Sequence, residues 1–186
     1  MTVQLSVSCR TNKAAQLQAS VGGNAWTADT NFATNGLMYN GSQYYQCTTG
    51  GLSASSGGGP TGTGTGITDG TCVWQSVQPV LKVFSGTEPA NCAAADPSGL
   101  LVTMNLPAPL LTVSSGATAL AGTWSGAASG AGTAASFRIY DGTSAVNCHC
   151  QGAVGMSGSD LNLNNTSIAS GQTVSVTSFA LTEPAA

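Results

Sequence analysis

The sequence predicts an all-β protein, an antiparallel β-sandwich with a short N-terminal helix and a small inserted three-stranded β module. From residue 78 onward, short runs alternate apolar and polar residues. Breaks rich in Gly, Pro or Asn separate these runs at about the 8–12 residue spacing of a sandwich or barrel. A helical period occurs only near the N-terminus. The hydrophobic fraction of 41 % suffices for a packed core and argues against wholesale disorder.

The N-terminal segment is predicted to form a short helix. Thr11 or Asn12 is a suitable N-cap. Four residues follow the i, i+3, i+4, i+7 spacing of one helix face, namely Ala14, Leu17, Gln18 and Val21. Gly22 and Gly23 follow, where a helix commonly ends. Because Ala14 makes the apolar stripe weak, we expect the helix to depend on a packing partner.

Residues 24–77 differ in composition and contain two of the three Trp and three of the four Tyr residues. Three strands are predicted here, over Gly36–Tyr39, Gln43–Thr48 and Thr71–Val77. The dipeptide Asn40-Gly41 is a strong signal for a hairpin between the first two.

This segment interrupts what would otherwise be a continuous unit of one helix followed by β-strands. We therefore predict that residues 24–76 are a module inserted at a surface loop, with its two ends close together. Residues 1–23 and 77–186 would form the β-sandwich domain. Within the module, Gly57–Gly66 lacks the Lys of a phosphate-binding loop and is predicted to be flexible and exposed.

The C-terminal part is predicted to contain only strands. Six are expected, over Val80–Phe84, Leu100–Leu106, Ala135–Tyr140, Ala145–Val154, Asp160–Leu163 and Thr173–Leu181. In the third, Phe137 and Ile139 alternate with Arg138 and Tyr140, which assigns the two pairs to opposite faces.

The charge content excludes several classes of protein. Only 6 % of residues are charged, against about 25 % in an average domain. Such a surface cannot neutralise a row of phosphates, so no nucleic-acid partner is expected. It also lacks a basic patch for anionic lipid, and no stretch is apolar enough to span a bilayer. Because Met1–Val7 does not resemble a secretory signal, we expect assembly in the cytoplasm.

The sequence offers little material for catalysis or metal binding. Six of the seven acidic residues stand beside Gly, Pro or Ser, where turns explain them, and His149 is the sole histidine. We expect no enzymatic activity, no catalytic residues and no cofactor. In an extended strand, Cys148 and Cys150 would share one face and His149 would occupy the other, which is poor geometry for one metal ion.

The six cysteines leave their redox state open. Cys47 and Cys72 lie in predicted strands on either side of the glycine-rich loop. A disulfide between them would close about 25 residues and contribute about 3 kcal/mol. A cytoplasmic site of assembly opposes it, and release of a virion into oxidising surroundings favours it. Cys148 and Cys150 are interpreted as small buried thiols, with a disulfide to Cys92 or a contact between subunits as the alternatives.

The module resembles a known family. Residues 25–47 contain Trp26, a Tyr39-Asn-Gly41 turn and a hairpin ending in Tyr45-Gln-Cys47, and resemble the small chitin-binding-type carbohydrate-binding modules. Phe32 stands where the first Tyr of that pattern is usual. Residues 59–74 resemble the versions of this module found in bacteriophage structural proteins.

This resemblance makes Trp26, Tyr39 and Tyr44 candidates for stacking on a neutral polysaccharide. Alternation assigns Tyr44 and Tyr45 to opposite faces, so at least one Tyr is expected to be exposed, and exposed aromatic rings mark binding sites. The alternative is that the rings form the module's own core, as we favour for Trp74.

A second resemblance covers most of the chain outside the module. The segments that carry it are 11–22, 81–90, 137–142, 155–163, 171–176 and 181–184. They are similar to a family of phage head proteins, which implies a sandwich that decorates or cements the capsid as a small homo-oligomer. The implied partners are the major capsid protein and further copies of this chain.

The resulting hypothesis is a non-enzymatic capsid decoration protein on the outer surface of a virion. We expect trimers ahead of dimers, because a sandwich with few charges hides surface by self-association. The alternatives are a carbohydrate-binding or adhesin protein, and a structural component of the tail or baseplate.

Overall fold

A computed structural model describes residues 7–114, 117–143 and 147–181. In this part the chain is mostly β, with one helix and several sheets. Residues 1–6, the start of the strand predicted at 145 and the segment from 182 onward lie outside the described residues.

Helix α1 spans Val7–Gly22 and begins earlier than the N-cap prediction placed it. The predicted face is correct, because Ala14, Leu17 and Val21 are buried in the core of the C-terminal strands. Gly23 ends the helix: its N–H donates to the Ala19 carbonyl oxygen at 3.1 Å, and its φ of +74° favours glycine.

The module contains seven strands in two sheets. They are β1 (Asn24–Ala25), β2 (Asn31–Phe32), β3 (Leu37–Asn40), β4 (Gln43–Thr49), β5 (Gly51–Leu52), β6 (Ile67–Asp69) and β7 (Cys72–Val77). The five-stranded sheet has the order β1-β3-β4-β7-β6, and β2 pairs with β5. The three predicted strands are β3, β4 and β7, with ends correct to one residue. The module was predicted to have three strands and has seven. The other four strands, β1, β2, β5 and β6, have two or three residues each and are too short to show a period.

The module has a core of its own on one face of its sheet. Met38, Tyr45, Cys47, Cys72 and Trp74 form this cluster, with three further partly buried side chains against it. The placement of Trp74 in the core is confirmed, since its side chain is fully buried.

The two ends of the module lie in one row across the sheet. Ala25 pairs with Tyr39, Tyr39 with Tyr44, and Tyr44 with Val77. Three strand spacings separate the ends, which corresponds to about 14 Å. The chain therefore enters and leaves the module in register, but not at adjacent strands.

The C-terminal part adds eleven strands. They are β8 (Val80–Phe84), β9 (Leu100–Asn105), β10 (Leu111–Ser114), β11 (Ala117–Leu120), β12 (Ser125–Ala127), β13 (Gly132–Thr133), β14 (Ser136–Tyr140), β15 (Cys148–Gly155), β16 (Leu161–Leu163), β17 (Ser167–Ile168) and β18 (Thr173–Phe179). Seven of them form a sheet in the order β12-β18-β16-β15-β14-β8-β9. A bridge between Val102 and Ala128 joins the two edge regions, so this sheet is nearly closed and barrel-like. Side chains of α1 and of these strands fill its interior.

Candidate functional site

Polar side chains form a row on the outer face of the barrel-like sheet. Lys82 on β8 is opposite Arg138 on β14, and Arg138 is opposite Gln151 on β15. Their neighbours Phe137 and Ile139 point into the core, as the alternation in the sequence predicts. Arg138 is nevertheless only 2 % exposed, so another part of the chain covers this face.

The cover is the connection between β8 and β9, residues 85–99, which we call the 85–99 loop. The Arg138 guanidinium donates to the carbonyl oxygens of Asn91 at 2.9 Å and Ala94 at 2.8 Å. It also donates to Oε1 of Gln151 at 3.0 Å, and Nε2 of Gln151 donates to the Pro89 carbonyl oxygen at 2.6 Å. One cation thus holds the loop at several points against the sheet.

Asp96 neutralises this cation. Its Oδ1 lies 3.1 Å from Nη1 of Arg138 and accepts a hydrogen bond from the Tyr140 hydroxyl, while its Oδ2 lies 3.2 Å from Nζ of Lys82. Burial alone would raise the pKa of Asp96, but hydrogen bonds from Tyr140, Lys82 and Arg138 lower it. For Tyr140, burial and the bond to Asp96 raise the pKa well above its ordinary value.

A cavity of about 570 Å³ lies beside this network. Its walls include Cys92 and Asp96 from the loop, Arg138 and Tyr140 from β14, and Cys148 from β15. Sγ of Cys148 lies 2.7 Å from Sγ of Cys92, and both are free thiols. Burial, together with the contact to Cys92, raises the pKa of Cys148.

The expectation that Cys148 and Cys150 share a face is wrong. An irregularity in the ladder between β14 and β15 pairs Cys148 with Tyr140 and Cys150 with Ile139. Cys150 therefore packs against the barrel core, whereas Cys148 lines the outer cavity. A bulge of this kind changes side-chain alternation and leaves no clear signal in the sequence.

Asp141 and His149 fasten the connection between β14 and β15. Nε2 of His149 lies 2.9 Å from Oδ2 of Asp141, and Asp141 also accepts hydrogen bonds from Thr143 and Asn147. Burial would raise the pKa of Asp141, but these partners lower it. The interpretation of Asp141 as a turn residue is thus supported by its contacts.

The predicted three-ring platform is not assembled. Trp26 packs against the module core, on the face of the sheet opposite Tyr39 and Tyr44. Its Nε1 donates to Oδ2 of Asp69 at 2.8 Å. A Cβ on Gly59 would lie 2.7–2.9 Å from three atoms of the indole, so Gly59 covers one face of the ring.

The expectation that at least one of Tyr44 and Tyr45 is exposed is also wrong. Both side chains are buried. The Tyr44 side chain is 2 % exposed, because its ring packs against Gly22 of α1 and its hydroxyl donates to the Pro107 carbonyl oxygen at 2.5 Å. Tyr39 is half-buried and meets Tyr44 edge to face, with centroids 6.2 Å apart. Tyr45 is buried in the module core, so neither Tyr of this pair is exposed.

The Gly57–Gly66 loop is exposed, as expected, but it is anchored. Nδ2 of Asn40 donates to the Pro60 carbonyl oxygen at 3.0 Å, and the Tyr45 hydroxyl donates to that of Gly62 at 3.0 Å. Gly64 donates to Oγ of Ser76 at 2.8 Å. The loop therefore belongs to the folded module and is not a free linker.

Cys47 and Cys72 lie beside each other in the module core as free thiols. Burial is the main cause that raises the pKa of each thiol. The disulfide between them stays a prediction.

Comparisons with known proteins identify no relative, since no family model, no curated protein and no solved structure matches the chain. In the part of the chain that the structure describes, no helix combines the length and apolar character of a membrane span. The same residues bring together no group of three or more His, Cys, Asp or Glu that could hold a metal ion.

Proposed function

We propose that this chain is a non-enzymatic structural protein of a phage particle, a capsid decoration protein whose C-terminal β unit mounts the inserted module on the outer surface of the head. The observation that carries the proposal is the separation of two cores. Helix α1 shares its core with β8–β18, whereas residues 24–77 enclose a core of their own. A module displayed on a separate supporting domain requires two cores of this kind.

The use of charge supports a structural role. Arg138, Asp96 and Lys82 tie the 85–99 loop to the sheet, and Asp141 ties a second connection. Asp69 holds Trp26 and the backbone of Ala54. These charged groups bind loops of the chain, whereas catalysis requires titratable groups that converge on a reactant.

The segments similar to phage head proteins supply the rest of the proposal. They lead us to propose a sandwich arrangement of the β unit, the major capsid protein as partner, and a homo-oligomer with trimer ahead of dimer. The module then acts as a projecting spacer or contact surface. Its three aromatic rings do not form a common surface for a glycan, so we do not propose sugar stacking by that set.

The number of copies in purified particles tests this function. Quantitative mass spectrometry of particles from the source virus would compare this chain with the major capsid protein. Hundreds of copies per particle, with density on the head surface by cryo-electron microscopy, are expected. A few copies would assign the chain to the tail or baseplate, and its absence from particles would refute a virion role.

A further inference from the structure

The 85–99 loop carries a thiol at the point where it meets β15. Cys92 from the loop and Cys148 from the strand are both half-buried and line the same cavity, with 2.7 Å between their sulfur atoms. The two residues are 56 positions apart in the sequence, so only the folded chain brings them together. The hydrogen bonds of Arg138 to Asn91 and Ala94 fix the loop on either side of Cys92.

We propose that Cys92 and Cys148 form a redox-controlled disulfide that locks the 85–99 loop onto the sheet. In a reducing cytoplasm the pair stays as thiols, and in an oxidising medium it closes. This inference stands on the placement of the two thiols and does not depend on the proposed function.

The reaction is thiol–disulfide exchange with a low-molecular-weight disulfide, for which oxidised glutathione is the reagent. One cysteine thiolate attacks the reagent, forms a mixed disulfide and releases one glutathione thiol. The second cysteine thiolate then attacks the mixed disulfide and releases the second glutathione thiol. Two S–H bonds are lost and one protein S–S bond forms, while the reagent takes up both electrons and both protons.

The geometry selects this pair over the third thiol of the cluster. Cys150 lies on the other side of β15 and packs against the barrel core. The cavity that Cys92 and Cys148 line does not include Cys150. Cys47 and Cys72 belong to the separate core of the module and do not compete.

The locked and open states should differ in how well the loop resists opening. Hydrogen bonds hold the loop reversibly, and local opening exposes it to proteases. A disulfide that closes this long stretch restricts the unfolded chain and keeps the loop on the sheet. We expect the lock to raise Tm by about 5–10 °C and to slow cleavage within residues 85–99 several-fold.

The test uses the full chain, purified with reductant and then equilibrated with reduced and oxidised glutathione. After alkylation of the remaining thiols, peptide mapping of the wild type should show Cys92 linked to Cys148 and Cys150 alkylated. Proteolysis and Tm are measured on the same samples. Cys92→Ser should abolish the oxidant-dependent protection, and the matched control Cys150→Ser should keep it.

Three results would overturn the proposal, and all three are measured on the wild-type protein. Mapping of oxidised wild type could show Cys92 and Cys148 both alkylated, or Cys92 linked to Cys150. Proteolysis of the loop could be equally fast in reduced and oxidised protein. If Cys92→Ser does not fold, Cys150→Ser and the wild-type map still decide between the lock and its absence.

Discussion

Replacing Arg138 with Ala should detach the 85–99 loop and destabilise the chain. The guanidinium is buried and donates to two loop carbonyl oxygens, to Asp96 and to Gln151. The truncation removes all of these bonds at once. The negative charge of Asp96 then loses the buried cation and keeps the ammonium of Lys82 and the hydroxyl of Tyr140.

The size of the loss follows from the burial of the two partners. Removing one member of a buried ion pair costs about 3–5 kcal/mol. Asp96 is 40 % exposed, so water replaces part of the lost interaction and the lower end of this range applies. The loop carbonyl oxygens become accessible to water when the loop opens. We therefore expect a loss of about 3 kcal/mol in the free energy of unfolding.

Urea unfolding followed by circular dichroism measures this loss, and limited proteolysis reports the loop. The matched control is Lys82→Ala, which removes the other, more exposed cation of Asp96 and should cost at most about 1 kcal/mol. Cleavage within residues 85–99 should accelerate in Arg138→Ala and not in the control. The reasoning fails if both variants lose the same small free energy and the loop stays protected.

Four further perturbations test other parts of the structure. Gly59→Ala should lower the free energy of unfolding by about 1–3 kcal/mol, because the new Cβ would contact the Trp26 ring and φ is +81°. Thermal melts measure this loss. The control is Gly62→Ala, where φ is similar and no atom lies close to the new Cβ. Tyr44→Phe should cost about 1 kcal/mol in urea unfolding through the lost bond to Pro107. Replacing residues 24–76 with a linker of about seven Gly and Ser residues, long enough for about 14 Å, should leave a folded β unit by NMR. Burial raises the pKa of Cys150 from 9.0 to about 12, so stability should be full below pH 9 and fall as the pH rises toward 12.

Each of these has an outcome that contradicts it. Equal losses in the two glycine variants would mean that backbone strain, not contact with the indole, sets the cost. An unchanged urea midpoint in Tyr44→Phe would show that water replaces the bond. Aggregation of the shortened chain would refute the independence of the β unit. The alkaline loss should shrink in Cys150→Ser, and an unchanged profile would assign it to other groups.

Local pattern was sufficient for several of the strands that are long enough to show a period. The bounds of β8 match the prediction, and those of β3, β4 and β7 match to one residue. The hairpin β10–β11 was missed, because each strand has only four residues and, although Leu111–Ser114 alternates apolar and polar residues, Ala117–Leu120 ends in two apolar residues. Strands of two residues, such as β1, have no period at all.

The candidate site depended on contacts between distant parts of the chain. Alternation placed Arg138 on the outer face, but nothing local indicated that the 85–99 loop would bury it. For Tyr44, alternation separated two faces without showing that Gly22 and Pro107 would cover the second. Alternation assigned Cys148 and Cys150 to one face, and one irregular pairing places them on opposite faces.

The row that connects Ala25 to Val77 determines how the module responds to mechanical load. A domain on a single linker swivels about it, whereas this module leaves the rest of the chain through two strands of one sheet about 14 Å apart. The ring of Tyr44, lying between them, rests against Gly22. Two separated tethers oppose twisting, and the third contact opposes tilting. We therefore expect that a lateral pull on the module does not rotate it about its attachment. The pull instead transmits a torque to α1 and β8, which adjoin the two attachment points in the chain.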